Sequence, residues 1–211
     1  MEASFWHQRW ELGEIAFHEG QANALLVQYF AKLNLEKGSK VFVPLCGKTR
    51  DIAWLLTQGY QVVGAELSEL AIKELFSDLE IEPEISEVGD LIHYHGEGID
   101  IYVGDIFSVT AAQLGQVDAI YDRAALVALP EHMRQQYTSH LITITGTAPQ
   151  LMICYEYDQL VMPGPPFSIC DEEVKQHYDG SYRLLLLESS QVSGGLKGKA
   201  AAVERVWLLQ K

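Results

Sequence analysis

The hydrophobic positions of residues 40–76 predict a β-turn-α-β unit followed by a second helix. Two short apolar runs have the length of buried strands. Each is followed by a segment whose apolar residues recur at helical spacing. The first strand breaks at the turn Leu45-Cys46-Gly47-Lys48, and the second ends at Glu66. The predicted elements are a strand over 40–44, a helix over 49–58, a strand over 61–66 and a helix over 69–78.

The same patterns, read along the rest of the chain, predict a single α/β domain over residues 1–211. Helices are predicted over 2–12, 22–34, from Pro130 to about Leu141, and over 171–178; strands over 99–103, 117–121, 150–157, 182–192 and 201–209. Residues 80–99 are polar and are predicted to be irregular. Five strands alternate with helices and two come together at the end. This order predicts a mostly parallel seven-stranded sheet with one antiparallel strand and helices on both faces.

The turn after the first predicted strand narrows the class of ligand. A dinucleotide site needs a glycine-rich G-x-G-x-x-G turn, and here Gly47 is the one glycine available. A phosphate-binding P-loop needs a further glycine where this chain has Phe42. Glu66, about twenty residues beyond the turn, is placed to accept hydrogen bonds from ribose hydroxyls. A ribose site without a phosphate cradle fits S-adenosylmethionine; the alternative is that Glu66 is a polar strand end.

The composition restricts the partners and the compartment. The net charge of −14 disfavours nucleic acid as a substrate, because a phosphate backbone would be repelled. No apolar run approaches the length of about 20 residues that a membrane span needs, and no signal peptide is evident. Three scattered cysteines, Cys46, Cys154 and Cys170, favour a reducing compartment. We therefore expect a cytoplasmic protein.

Two further strand ends carry residues with candidate roles in binding. Asp105 can accept a hydrogen bond from an exocyclic amine such as that of adenine, and Ile106 can supply an apolar face. The alternative for Asp105 is that it caps the next segment. Arg123 needs an anionic partner because its guanidinium stays protonated. A cofactor carboxylate or an anionic substrate would serve, as would a structural ion pair with Asp122 or Glu156.

Several other residues are weaker candidates for chemistry. Trp10, Phe17 and His18 can cover a cationic sulfonium, or they can simply anchor the N-terminal helices. His93 and His95 alone do not define a metal site, so no metal is expected. The chain has no G-x-S-x-G elbow of a hydrolase. Cys46 lies in the turn, and a packing role as a small buried residue explains its presence more simply than a role as a nucleophile.

Several motifs of this chain make it resemble the thiopurine S-methyltransferase family, and specifically a bacterial member. The match runs nearly end to end. It comprises Trp6-x-x-Arg9-Trp10, Ile15-Ala16-Phe17-His18, Val43-Pro44-Leu45-Cys46-Gly47-Lys48, Val63-Gly64-Ala65-Glu66-Leu67-Ser68, Tyr121-Asp122-Arg123-Ala124-Ala125-Leu126-Val127-Ala128 and Gly164-Pro165-Pro166-Phe167. The Asn/Asp-Pro-Pro-aromatic motif of amide-directed methyltransferases is absent, which disfavours an amine or amide acceptor.

The resemblance implies a class I, Rossmann-like methyltransferase fold with residues 1–35 as a helical cover over the cofactor site. It implies S-adenosylmethionine as the donor and a small aromatic or heterocyclic thiol as the acceptor. By position, the cofactor would contact Trp10, Leu45, Glu66, Asp105, Ile106 and Arg123. Phe17 would line the acceptor pocket, and Arg123 would stabilise the reacting thiolate.

Two other functions remain open from the residues alone. One is a nucleotide-dependent oxidoreductase, which would require a phosphate-binding turn that the sequence does not contain. The other is a non-catalytic nucleoside-binding module. We expect a monomer with a small-molecule thiol substrate and no metal.

Overall fold

A computed structural model describes residues 3–15 and 18–211 as one α/β arrangement. The helices are α1 (Ala3–Glu11), α2 (Ala24–Tyr29), α3 (Arg50–Thr57), α4 (Glu69–Asp78), α5 (Ala111–Leu114), α6 (Glu131–Ile144) and α7 (Asp171–Tyr178). The strands are β1 (Lys40–Pro44), β2 (Gln61–Glu66), β3 (Glu84–Val88), β4 (Leu91–Gly96), β5 (Ile99–Val103), β6 (Ala119–Arg123), β7 (Gln150–Tyr157), β8 (Arg183–Gln191) and β9 (Ala202–Gln210). None of these helices is long and apolar enough to span a bilayer.

The strands form a mixed sheet of nine, in the order β3-β4-β5-β2-β1-β6-β7-β9-β8. The prediction of seven strands with one antiparallel strand is wrong. The five central strands are parallel, as expected. Both β4 and β9 run against the centre, and β8 pairs with β9 as the predicted terminal hairpin.

The two additional strands, β3 and β4, lie in the segment that was predicted to be irregular. The residues of β3 are nearly all exposed, so the strand has no apolar alternation to reveal it. Its backbone pairs antiparallel with β4, and β4 pairs with β5. These strands therefore depend on backbone pairing with a neighbour, which a periodicity argument does not detect.

The N-terminal helix predicted over 22–34 is divided into two parts. Asn23 caps α2 by accepting hydrogen bonds from Leu25 N and Leu26 N. The chain then tightens into a 3₁₀ helix over Phe30–Leu33, which ends at Asn34 in a left-handed conformation with φ of 53°. Leu26, Phe30 and Leu33 are buried in one core, so both parts turn an apolar face towards the sheet.

Helices cover both faces of the sheet, because successive side chains of each central strand enter opposite hydrophobic cores. On β1, Phe42 enters the core that contains Tyr137 and Leu141 of α6. Its neighbours Val41 and Val43 enter the other core, which is packed against α3 and α4.

This topology brings the predicted site to one edge of the sheet. The parallel strands β1, β2, β5 and β6 all end at that edge. The strand order changes direction at β1, which lies between β2 and β6. Ligands of open α/β sheets bind in the crevice at such a switch point.

Candidate active site

A cavity of about 830 Å³ opens at the carboxyl edge of the central strands. Its walls come from the strand exits, from α1 and from the connections that follow β6, β7 and β8. The described residues predicted for the cofactor site all line it: Trp10, Leu45, Glu66, Asp105, Ile106 and Arg123. His18 lines it as well. Phe17, predicted for the acceptor pocket, lies outside the described residues.

The turn after β1 is held in a conformation that few side chains adopt freely. Leu45 has φ of 46° and Gly47 has φ of 51°. A Cβ on Gly47 would lie 3.0 Å from the Trp10 ring atom Cζ2, so glycine lets α1 pack directly over the turn. Left-handed backbone at a non-glycine residue such as Leu45 is costly and is concentrated at functional sites.

Glu66 joins the ends of β1 and β2. Its Oε2 accepts a hydrogen bond from Gly47 N at 2.8 Å, and its Oε1 accepts one from Ser68 N at 2.9 Å. The residue is 6% exposed. Burial raises the pKa of the carboxyl, and the amides of Ser68 and Gly47 offset part of that rise. Each oxygen keeps a second lone pair, so Glu66 can still accept from a ligand in the cavity.

At the exit of β5, the structure contains the capping role that was the alternative for Asp105. Its Oδ1 accepts a hydrogen bond from Phe107 N at 3.0 Å and begins a 3₁₀ helix over Ile106–Ser108. The exposed Asp105 also lines the cavity, so capping and ligand contact are compatible. Ile106 is buried, and its carbonyl lies 2.9 Å from a ring nitrogen of His140.

Arg123 ends β6 with a side chain that is 11% exposed. An ion pair joins it to Glu19 of the N-terminal segment. Burial by itself lowers the pKa of Arg123, but Tyr121, Glu19 and Asp51 raise it above its ordinary value. The guanidinium is therefore a permanent positive charge at the wall of the cavity.

The two structural partners considered for Arg123 make other contacts. Asp122 is fully buried and accepts hydrogen bonds from Leu126 N at 3.1 Å and from the Tyr137 hydroxyl at 2.8 Å. Glu156 pairs with Arg205 at 2.6 Å.

The cavity is also lined by charged and polar residues that were not identified from the sequence, among them Glu19, Tyr155 and Lys197. Glu19 is 104 positions from Arg123, so no local pattern indicates that they meet. Tyr155 lies within β7, whose run of apolar residues predicts a strand but no role. Lys197 stands in a glycine-rich connection between β8 and β9, a composition typical of any surface turn.

The two histidines that did not by themselves define a metal site lie beside a carboxylate in the structure. His93 Nε2 and His95 Nδ1 are 2.8 and 2.9 Å from Asp100 Oδ1, a carboxylate that sequence spacing did not associate with them. None of the three is among the described residues that line the cavity.

Cys46 is buried in the turn after β1. Burial of its thiol, and to a lesser extent the nearby Glu66, raises the pKa of that thiol well above its ordinary value. A thiol in that state is a poor nucleophile.

Comparison with known proteins identifies relatives over the whole chain. Residues 1–211 match the sequence model of the family described as Thiopurine S-methyltransferase (TPMT). A thiopurine S-methyltransferase of Xanthobacter autotrophicus is 52% identical over 212 residues, covering 100% of both chains. One from Teredinibacter turnerae is 51% identical over 211 residues, covering 100% of this chain and 98% of the relative.

Solved structures with low sequence identity share the fold. A 1,6-didemethyltoxoflavin-N1-methyltransferase of Burkholderia thailandensis, solved with bound 1,6-didemethyltoxoflavin and S-adenosylhomocysteine, superposes with a TM-score of 0.67 at 14% identity, covering 99% of this chain and 87% of that one. A magnesium protoporphyrin IX methyltransferase of Synechocystis, also with bound S-adenosylhomocysteine, gives 0.64 at 13% identity over 100% of both chains. The fold is thus that of class I S-adenosylmethionine-dependent methyltransferases.

Proposed function

This chain belongs to the thiopurine S-methyltransferase family and is an S-adenosylmethionine-dependent methyltransferase, and we propose that it methylates the sulfur of small aromatic or heterocyclic thiols. The observation that supports this acceptor class most directly is the position of Arg123. It is a nearly buried cation at a strand exit, in the wall of a large cavity. A thiolate is the anion that such a cation would stabilise.

Two observations support a donor site at the exits of β1 and β2. Glu66 presents a carboxylate that is positioned by two backbone amides, which suits a pair of ribose hydroxyls. Gly47 lets the Trp10 ring lie against the turn, and an aromatic face attracts a cationic sulfonium. In this proposal Leu45 contacts the donor beside Glu66, Asp105 and Ile106 contact the adenine, and Arg123 contacts the methionine end.

In this proposal the N-terminal segment, residues 1–35, covers the site. Ala3, Trp6, Arg9 and Trp10 of α1 line the cavity, and Glu19 reaches Arg123 from the same part of the chain. Phe17 is proposed to contact the acceptor. A cover of this kind excludes water from the reacting groups.

S-adenosylmethionine supplies a methyl group that is already activated by its sulfonium. The protein then needs to position the acceptor sulfur in line with that methyl and to keep it ionised. Arg123 does the second by its charge, which lowers the pKa of the bound thiol. The acceptor proton leaves to water, so this chain needs no general base, and no metal takes part.

The two alternative functions have no support from the relatives or the fold neighbours. A nucleotide-dependent oxidoreductase would need a phosphate-binding turn, and a non-catalytic module would bind nucleosides without turnover. We further propose a cytoplasmic monomer that acts on small molecules and not on nucleic acid. Its net charge of −14 supports the last point.

An acceptor panel tests the proposal. Purified protein is incubated with methyl-labelled donor and, separately, a thiopurine, thiophenol, phenol, aniline and single-stranded RNA. We expect label to be transferred to the two thiols alone. Transfer to phenol, aniline or RNA that exceeds transfer to both thiols would contradict a thiol methyltransferase.

A further inference from the structure

Lys197 stands at the tip of a tight turn in the connection between β8 and β9. Leu196 and Ala200 bridge each other, with Leu196 N donating to Ala200 O at 2.7 Å. Lys197 and Gly198 between them have φ of 53° and 64°. Glycine and asparagine suit the left-handed region, whereas lysine occupies it at a cost. A strained non-glycine residue beside a cavity suggests a functional reason for its side chain.

The Lys197 side chain lines the cavity, and its hydrogen-bond partner is not a carboxylate. Other cations that line the cavity each pair with a carboxylate. Arg9 pairs with Glu14 at 3.1 Å, Lys48 pairs with Glu74 at 2.7 Å, and Arg123 pairs with Glu19. Lys197 Nζ instead donates to a neutral acceptor, the carbonyl of Pro165, at 2.8 Å. Among residues 3–15 and 18–211, no ion pair joins Lys197 to a carboxylate.

The surroundings of Lys197 add positive charge. Partial burial lowers the pKa of its ammonium, and the nearby charges of Arg9 and Lys199 lower it further. An anion bound at the Lys197 ammonium would offset this repulsion and give the ammonium a charged hydrogen-bond acceptor inside the cavity.

Lys197 also belongs to the wall of the cavity that contains Arg123. Tyr155 lies close enough to Arg123 to interact with its charge. Tyr155 packs against the hydrophobic cluster that includes Leu196, the residue before Lys197. The cavity of about 830 Å³ lies near the top of the range of about 300–1,000 Å³ for small-molecule sites, so a second ring fits beside a donor.

We propose that Lys197 binds an acid group of the acceptor, so that the preferred acceptors are aromatic thiols that also carry a carboxylate. This inference rests on the proposed function and adds a specificity-determining residue to it. Arg123 faces the thiolate, and Lys197 faces the carboxylate on another part of the same ring.

The test compares the ortho, meta and para mercaptobenzoates with thiophenol in wild type, Lys197→Gln and Lys199→Gln. Lys199 lies in the same connection but does not line the cavity, so its variant controls for a general loss of charge. The readout is kcat/KM for each mercaptobenzoate divided by that for thiophenol. The intrinsic reactivity of each thiol cancels when this ratio is compared between variants.

We expect Lys197→Gln to lower the ratio about tenfold for at least one isomer, mainly through KM, as loss of a charge-assisted contact would. Lys199→Gln should keep the wild-type ratio. Unchanged ratios for all three isomers in Lys197→Gln, or an equal loss in Lys199→Gln, would overturn the assignment.

A binding measurement separates this inference from the proposed function. Calorimetry of each mercaptobenzoate with S-adenosylhomocysteine present involves no turnover, so it reports the anchor alone. We expect about tenfold weaker binding to Lys197→Gln than to wild type. Failure to methylate any thiol, with this difference in binding intact, would refute the reaction and leave the anchor standing. Equal binding would refute the anchor.

Discussion

At the scale of single residues, Arg123 carries the largest share of the proposed chemistry. Its guanidinium can hold a carboxylate on two parallel hydrogen bonds, whereas a lysine offers a point charge. In the structure its partner is Glu19, which lies on a different part of the chain and is 46% exposed. Because Glu19 is partly exposed, water can solvate its carboxylate when a ligand anion takes its place on the guanidinium.

Arg123→Lys tests this role. We expect the variant to fold normally and to lose about tenfold or more in kcat/KM, which is about 1.4 kcal/mol of transition-state stabilisation. Raising the pH should partly restore its rate with a weakly acidic thiol, because more acceptor is then ionised already. Steady-state kinetics across pH measure both effects. Wild-type kinetics in a less stable variant would show that Arg123 is only structural.

Glu66→Ala is expected to weaken donor binding by at least about tenfold, because hydrogen bonds donated to a charged acceptor are worth about 1.5–3 kcal/mol each. The structure adds a second effect. The amides of Gly47 and Ser68 lose their acceptor, so the free energy of unfolding should fall by about 2 kcal/mol or more.

Tyr182→Phe is the matched control for Glu66→Ala. It removes a buried hydrogen bond from the Tyr182 hydroxyl to Ala148 O at 2.9 Å, and neither residue is among the described residues that line the cavity. Calorimetric donor affinity and chemical unfolding are measured for both variants. Equal donor affinities at equal loss of stability would remove Glu66 from the donor site.

At the scale of elements, the packing of α1 on the turn after β1 closes one side of the cavity. Trp10 is the buried residue of this short helix, with 6% of its surface exposed. Its ring meets Gly47 where any Cβ would intrude. The position of α1 therefore depends on one glycine in another element.

Gly47→Ala should cost about 1 kcal/mol of stability for its left-handed backbone and should also displace Trp10. We expect donor affinity to fall at least about fivefold, or about 1 kcal/mol. Gly38→Ala is the control, since Gly38 has φ of 86° with nothing near the position of a Cβ. It shares the backbone strain without the contact. If calorimetry gives both variants the same donor affinity, α1 packing has no part in the site.

At the scale of the whole molecule, stability should depend on pH through Asp122. Burial raises the pKa of this carboxyl from 3.8 to about 6, against the opposing effect of hydrogen bonds from Leu126, Tyr137 and Ala125. The folded state therefore binds a proton more tightly than the unfolded state. The contribution of Asp122 to stability is most favourable below about pH 4 and falls as the pH rises to about 6, by about 3 kcal/mol in all.

Asp122→Asn should remove this dependence, because an amide oxygen can still accept from Leu126 N without a charge. Relative to wild type, the variant should gain about 2 kcal/mol in free energy of unfolding between about pH 4 and about pH 7. Urea unfolding of both proteins at each pH measures the difference, and other titrating groups cancel. A difference that does not change with pH would show that Asp122 stays ionised throughout.

The sequence by itself determined the central unit and identified most of the residues of the proposed donor site. The bounds predicted for α4 and α7 are those observed, and the two strands of the unit are confirmed. The spacing of apolar residues is a local property of the sequence. The residue at which a strand ends can also be read from its neighbours in the sequence. Glu66, Asp105 and Arg123 could therefore be assigned to one edge of the sheet before any contact was known.

The tertiary structure decided what depends on contacts between distant segments. The polar segment β3 forms a strand because its backbone pairs with the edge of β4. The sheet therefore has nine strands, where the sequence predicted seven. Glu19 is the ion-pair partner of Arg123, and the connection between β8 and β9 places Lys197 in the wall of the cavity. Each of these is set by the packing of segments far apart in the chain, and such contacts leave no periodic or compositional mark at either end.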